Sequence, residues 1–258
     1  PAATEFEARI ALGQVLTRRG KFDAAAEQLH ALEQLAGESM IPRAKPRIAA
    51  ARGALLAARN DFGSAVKELN AALEGLDPSN PSDLAQRDSL RLEMISALTF
   101  AGKDQQALEL GDALIAEARA RKDDNALLIA LTQMALVRAQ GEDHDAAEKL
   151  LLAAQPVIVA RLGENHSRHL SLLAELMGVA FRRADWPRAT EYAQKVHERF
   201  RAKFGNDNVR TYVTLANWAR VLDEAGRPRE AVVKAREAHA QLTRLVGEED
   251  EVVLSLAA

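Results

Sequence analysis

The sequence predicts an all-α solenoid, a stack of helix-turn-helix pairs, and three regularities predict it. The segment Leu162-Gly163-Glu164-Asn165-His166 returns as Phe204-Gly205-Asn206-Asp207-Asn208 and again as Val246-Gly247-Glu248-Glu249-Asp250, so that its glycine moves from 163 to 205 to 247, a step of 42 residues each time. Six alanines, at 25, 65, 107, 147, 189 and 231, follow one another at steps of 40 or 42 residues. The chain is 48% hydrophobic and only 4% aromatic, with much of the apolar share in alanine and leucine, which are strong helix formers. A fixed period between about 20 and 50 residues marks stacked repeats, because one amphipathic pair cannot bury its apolar stripe without its neighbours.

Each unit reads as an apolar helical stretch, a tight turn, and a second helical stretch that opens on the recurring alanine. The turns are Arg19-Gly20-Lys21-Phe22-Asp23, Arg59-Asn60-Asp61-Phe62-Gly63 and Ala101-Gly102-Lys103-Asp104-Gln105, then Gln140-Gly141-Glu142-Asp143-His144, Arg183-Ala184-Asp185-Trp186-Pro187 and Ala225-Gly226-Arg227-Pro228-Arg229. They imply six helix pairs, and Val252, Val253, Leu254 and Leu256 read as the start of a seventh first helix. Glycine or asparagine belongs in such turns because a helix commonly ends in a left-handed residue; Ala184 breaks the rule. The alanines belong where two helices cross closely, with room for a methyl group and little more.

Helical spacing supports the pairs. In the second unit Leu55, Leu56, Val66, Leu69, Leu73 and Leu76 recur at three- and four-residue intervals, and in the sixth Leu215, Trp218, Leu222, Val232 and Leu242 do the same. The connectors Ser39–Pro46 and Gly75–Ser82 carry two prolines each, which stop one helix and help to start the next. From the fourth unit onward the second helix runs longer and ends in the recurring glycine turn, which predicts more regular stacking there than in the first half. No linker is long or polar enough to split residues 1–258, so one domain is expected. A start at Pro1 and a stop inside an apolar run lead us to expect a fragment of a larger protein.

These residues resemble tetratricopeptide repeats over nearly the whole chain. The resemblance rests on small first-helix residues (Gly13, Gly53, Ala135, Gly178, Ala219), turn aromatics (Phe22, Phe62, Trp186), later second-helix alanines (Ala72, Ala154, Ala238) and the closing Pro78; the third unit departs from it with Ile95, Asp104 and Leu114. Ordinary members repeat at about 34 residues, whereas the longer step and the Leu-Gly-x-x-His turn resemble the kinesin-light-chain-like subclass, common among bacterial signalling proteins. The resemblance implies a right-handed superhelix whose first helices line a concave groove. Thr214-Leu215-Ala216-Asn217-Trp218-Ala219 is similar to that subclass's Leu-x-Asn-Leu-Ala segment, in which the asparagine holds the backbone of an extended peptide; the equivalent places in earlier units carry Glu175, Gln133, Glu93, Ala51 and Ala11.

Several function classes are disfavoured by the residues themselves. A net charge of −3 and a pI near 6.1 give no basic footprint for nucleic acid or an anionic membrane, and no apolar run approaches the roughly 18 residues that span a bilayer. The absence of cysteine excludes thiolate catalysis and cysteine-ligated metals. No phosphate-cradling glycine loop or nucleophile elbow is present. His166 and His169 stand three apart rather than at the four-residue spacing of the helical zinc motif, and Asn165-His166-Ser167 is a sequon too short to carry weight. We therefore expect no enzyme, no cofactor and no metal.

What remains is binding. By the family alignment, the side chains that face the groove are Gln14, Arg18, Arg47, Phe100, Gln133, Gln140, Glu175, Arg182, Tyr212, Asn217 and Arg220. The expected role is a protein or peptide interaction module, the interaction or sensory segment of a larger bacterial regulator. The alternative is a regulatory domain that responds to a small molecule or peptide pheromone in a transcription activator or kinase. Self-association through an uncapped C-terminal end is a further expectation. Compartment, cytoplasmic or periplasmic, is left open.

Overall fold

A computed structural model describes residues 2–248, 250 and 251. Among these residues there are twelve α-helices and no strand, arranged as six helix-turn-helix pairs. The pairs are α1 (Ala2–Arg18) with α2 (Phe22–Glu38), α3 (Ala44–Ala58) with α4 (Phe62–Glu74), and α5 (Pro81–Phe100) with α6 (Asp104–Arg121). They continue as α7 (Asp124–Gln140) with α8 (His144–Leu162), α9 (Ser167–Arg182) with α10 (Trp186–Phe204), and α11 (Val209–Glu224) with α12 (Pro228–Val246). No helix among the described residues is long and apolar enough to cross a membrane. The expected start of a seventh pair, and the self-association built on it, lie outside the described residues.

Two local devices set the repeat. Inside each pair one turn residue takes the left-handed conformation, at Gly20 (φ 70°), Asn60 (63°), Gly102 (69°), Glu142 (62°), Ala184 (54°) and Gly226 (71°). In the fourth pair the glycine and the left-handed residue do not coincide, since it is Glu142 and not Gly141 that turns the chain. Three of the six pairs then start their second helix with an aspartate cap: Asp61, Asp143 and Asp185 accept the backbone N–H of Ser64 (3.1 Å), Ala146 (3.1 Å) and Arg188 (3.3 Å). The second device joins successive pairs. Gly163 and Gly205, at φ 82° and 78°, end α8 and α10, and the third residue after each caps the next helix. His166 Nδ1 accepts from the N–H of Arg168 (3.2 Å) and Asn208 Oδ1 from that of Arg210 (2.9 Å). The recurring Gly-x-x-His/Asn stretch is thus a stop signal and a start signal set three residues apart.

The chain forms two compact units, one up to Gln133 and one from Met134. In the first, Phe6, Ile10, Leu29, Leu32, Ile48 and Leu55 make one core cluster and Leu69, Leu73, Leu76, Leu90 and Ala97 another. The turn alanines are at most 5% exposed throughout. At the crossing of α3 and α4, Gly53 is as tight as Ala65: a Cβ added there would lie 2.9 Å from Leu69 Cγ. Buried carboxylates brace this unit. Asp83 pairs with Arg43 (2.5 Å) and accepts the N–H of Asp77 (3.1 Å), and Asp88 pairs with Arg121 (2.5 Å). Arg87 closes the end of α4 by donating to the carbonyls of Leu73 (2.9 Å) and Leu76 (2.7 Å).

The second unit is built around Ala180, Ala189, Ala193 and Val221, and around Tyr212, Leu215, Ala238 and Leu242. Its second helices α8, α10 and α12 are each 19 residues long, against 17, 13 and 18 for α2, α4 and α6, a slight lengthening in the direction read from the sequence. One sequence expectation is corrected here. Val232 is 46% exposed rather than part of the buried stripe, because the helical period places Ala231, Ala238 and Leu242 inward instead. The brace of this unit is Glu148, 8% exposed on α8, which takes the guanidinium of Arg183 on one oxygen and that of Arg188 (2.7 Å) on the other, while Arg183 also pairs with Asp145 (2.7 Å).

Candidate functional site

The first helices of the unit up to Gln133 carry small residues on one face, and that is what opens a site. In α3 the face presents Ala50, Ala51 and Ala54; methyl groups leave room where a longer side chain would fill it. Three adjoining clefts result, of about 220, 170 and 310 Å³. All three are lined by Ala54 and by Glu93, so they form one groove running over α1, α3 and α5 with Glu93 at its junction. Ile10 and Gln14 bound the first two clefts; Phe62, Ser96 and Phe100 wall the third.

The groove's charges are distributed unevenly. Arg47 is bound in a bidentate pair with Glu7 (2.6 Å on both arms) and lies over the Phe6 ring at 5.0 Å, and the guanidinium holds the Glu7 carboxyl below its ordinary value. Arg9 is held by Glu5 (2.7 Å) and Gln28 (3.1 Å). Glu93 has neither a cation nor a hydrogen bond among the described residues to offset its surroundings, and burial pushes its carboxyl up. Its side chain is nonetheless open to the groove: the surrounding protein displaces much of its hydration without covering it.

The eleven residues expected in the groove fall into three groups. Gln14, Arg18, Arg47 and Phe100 line the clefts of the first unit. Phe100 is 63% exposed and stacks on Phe62, with ring centroids 5.1 Å apart. Gln133 is half-buried and donates to Ser96 Oγ (3.0 Å). In the second unit Gln140, Glu175, Arg182 and Arg220 are exposed and Asn217 is half-buried; Arg220 rests over the Phe181 ring at 5.4 Å. Burial again pushes the Glu175 carboxyl up. Tyr212 differs: it is 7% exposed and packs with Leu215, Ala238 and Leu242, because one helical step turns it from the open face into the last pair's core.

Glu93 was absent from that set although its register pointed to it. It stands 14 residues before its turn alanine at 107, as Glu175 does before 189 and Asn217 before 231. The alanines at 50, 51 and 54, which make the space, give no sequence signal distinct from ordinary helix composition. The buried histidines make structural contacts. His169 is buried with Nδ1 2.8 Å from the Glu164 carbonyl oxygen and Nε2 3.2 Å from Gln155 Nε2, and His197 lies 3.2 Å from the Thr211 carbonyl oxygen, its ionisation pushed down by burial. A larger cavity, about 790 Å³, lies at the α2–α3 connector, where Arg43 and Arg52 are paired with Asp83 and Glu33 and where Glu38 and Lys45 also form the lining.

No family model matches the sequence, and no curated protein is similar to it. Solved structures are similar in fold. The signal-transduction ATPase with a tetratricopeptide repeat sensor from Pyrococcus horikoshii matches at TM-score 0.74 and 14% identity, over 99% of this chain and 39% of that one. The TPR-like repeats assigned to a kinesin light chain of Podospora anserina match at 0.66 and 17%, over 80% of this chain and 98% of that one. The quorum sensor NprR of B. thuringiensis, in complex with its cognate peptide NprX, matches at 0.53 and 12%, over 99% and 76%. The fold is a tetratricopeptide-type solenoid with the long period of the kinesin-light-chain kind.

Proposed function

We propose that the chain is an interaction module that holds an extended peptide segment of a partner in the groove over α1, α3 and α5, and that it serves as the interaction or sensory part of a larger regulator. One observation carries the reading: a continuous cleft crosses three successive first helices, floored by alanine and edged by polar and aromatic side chains. Alanine at the floor lets a backbone approach closely, while Gln14 offers hydrogen bonds and Phe100 a flat apolar surface at the edges. The peptide held by NprR supports peptide recognition, and the sensor named for the Pyrococcus protein supports a sensory role, as uses open to this fold. Binding, rather than catalysis, is the activity proposed, and the near-neutral charge favours protein over nucleic acid as the partner.

Ala54 lines all three clefts and so offers a direct test. Peptides selected on the wild-type chain from a random library should lose about tenfold or more in affinity for Ala54→Trp, with an unfolding temperature close to wild type. Val233→Trp, on the exposed outer side of α12, should bind them unchanged. Peptides that bind Ala54→Trp as tightly as wild type would place the site elsewhere.

A further inference from the structure

We infer that Glu93 is the specificity residue of the groove and that it takes a basic side chain, arginine or lysine, from the segment bound there. This rests on the groove reading above. Glu93 stands where the three clefts meet, so a segment crossing from α1 to α5 passes over it. The protein supplies no counter-charge: Arg9 and Arg47, which share its clefts, are committed to Glu5 and Glu7, and Arg18, at the turn end of α1, makes no contact with it. Ala51 and Ala54 line the same clefts, of about 220 and 170 Å³, and give the methylenes of an arginine or lysine side chain an apolar floor. A carboxylate that stands open in a cleft with no partner of its own gains from an arriving cation, and its two oxygens suit a bidentate guanidinium. A metal ion is a poorer occupant, since no group of three or more histidine, aspartate or glutamate side chains is gathered among the described residues.

The test uses the full chain and four pools of nine-residue peptides in which the central residue is fixed as arginine, lysine, glutamine or glutamate and the rest are random. Binding is read by fluorescence polarisation for wild type, Glu93→Gln and Glu93→Lys, with circular dichroism to show that each variant is folded. Wild type should favour the arginine and lysine pools over the glutamine pool by about tenfold, as charge-assisted hydrogen bonds outweigh neutral ones. Glu93→Gln should lose that preference while still binding the glutamine pool, and Glu93→Lys should turn the preference toward glutamate. Equal binding of the arginine and glutamine pools by wild type, or an unchanged preference in Glu93→Gln, would overturn the assignment to Glu93 and leave the groove standing. No binding of any pool by wild type would overturn both.

Discussion

The first-helix faces of the two units share one register and differ in what fills it. Before Gln133 the face is small, with Ala11, Ala51 and Ala54, and clefts open around a single carboxylate, Glu93. After Met134 the positions of Ala11 and Ala51 hold Glu175 and Asn217, while the position of Ala54 holds Gly178 in α9 and Arg220 in α11, where Arg220 lies against Phe181. A repeat therefore fixes where a side chain points without fixing whether the place is a hole or a rim. Binding volume comes from local side-chain size, and the polar residues of the second unit offer hydrogen-bonding groups at the matching positions.

The comparison can be broken first at the crossings, which should be equivalent. Ala65 and Ala189 are both fully buried at the start of second helices. Ala65→Leu and Ala189→Leu should each cost about 2–3 kcal/mol by overpacking, measured by denaturant unfolding. Amide hydrogen exchange should place the lost protection in the helices of the substituted pair and its neighbours, as nearest-neighbour stabilisation requires. Equal loss along the whole chain would show that the two units unfold as one.

A smaller effect separates the braces. Glu148 joins α8 to Arg183 and Arg188, so Glu148→Ala leaves two guanidinium groups without their shared partner. Both arginines reach solvent, which reduces the penalty, and a loss of about 1–2 kcal/mol is expected. A still smaller change, of opposite sign, belongs to the turns. Ala184 is held at φ 54°, a conformation that costs an alanine about 1–2 kcal/mol. Ala184→Gly should relieve this at some cost in unfolded-state entropy, for a net gain of about 0.5–1 kcal/mol, read as a shift in unfolding midpoint.

These cases also show what the sequence carried. The helix pairs, their boundaries and the crossing alanines were legible because each depends on residue type at a fixed spacing. Ala184 was legible as an exception because the turn demands a left-handed residue whatever occupies it. Tyr212 and Val232 were not, since a helix turns 100° per residue and a one-place error exchanges core for surface. The groove was half legible. Its edges, Gln14, Arg18 and Phe100, could be aligned, but its floor is alanine, and alanine in a helix says nothing about whether another side chain covers it. Glu93 was named as a counterpart of Asn217 and passed over because its lack of a partner is a fact of three dimensions.

The finest test compares Glu93 with Glu175, one carboxylate in a cleft and one on the longer polar face. Burial raises both above the ordinary carboxylate value, with no other contribution of note in either case. A raised acid favours its neutral form in the folded state, so its contribution to stability is fully present below the unfolded value and is lost as pH rises through the folded value. At neutral pH each ionised glutamate therefore weighs slightly against folding, and glutamine, which mimics the neutral form, removes that weight. Glu93→Gln and Glu175→Gln should each raise the unfolding temperature at neutral pH by about 1 °C, a small shift because both side chains keep contact with water. The gain should shrink to nothing once the pH falls below the ordinary carboxylate range. A bound basic peptide should then divide the pair: it supplies the missing charge only in the cleft, so it should reverse the Glu93→Gln gain and leave that of Glu175→Gln in place.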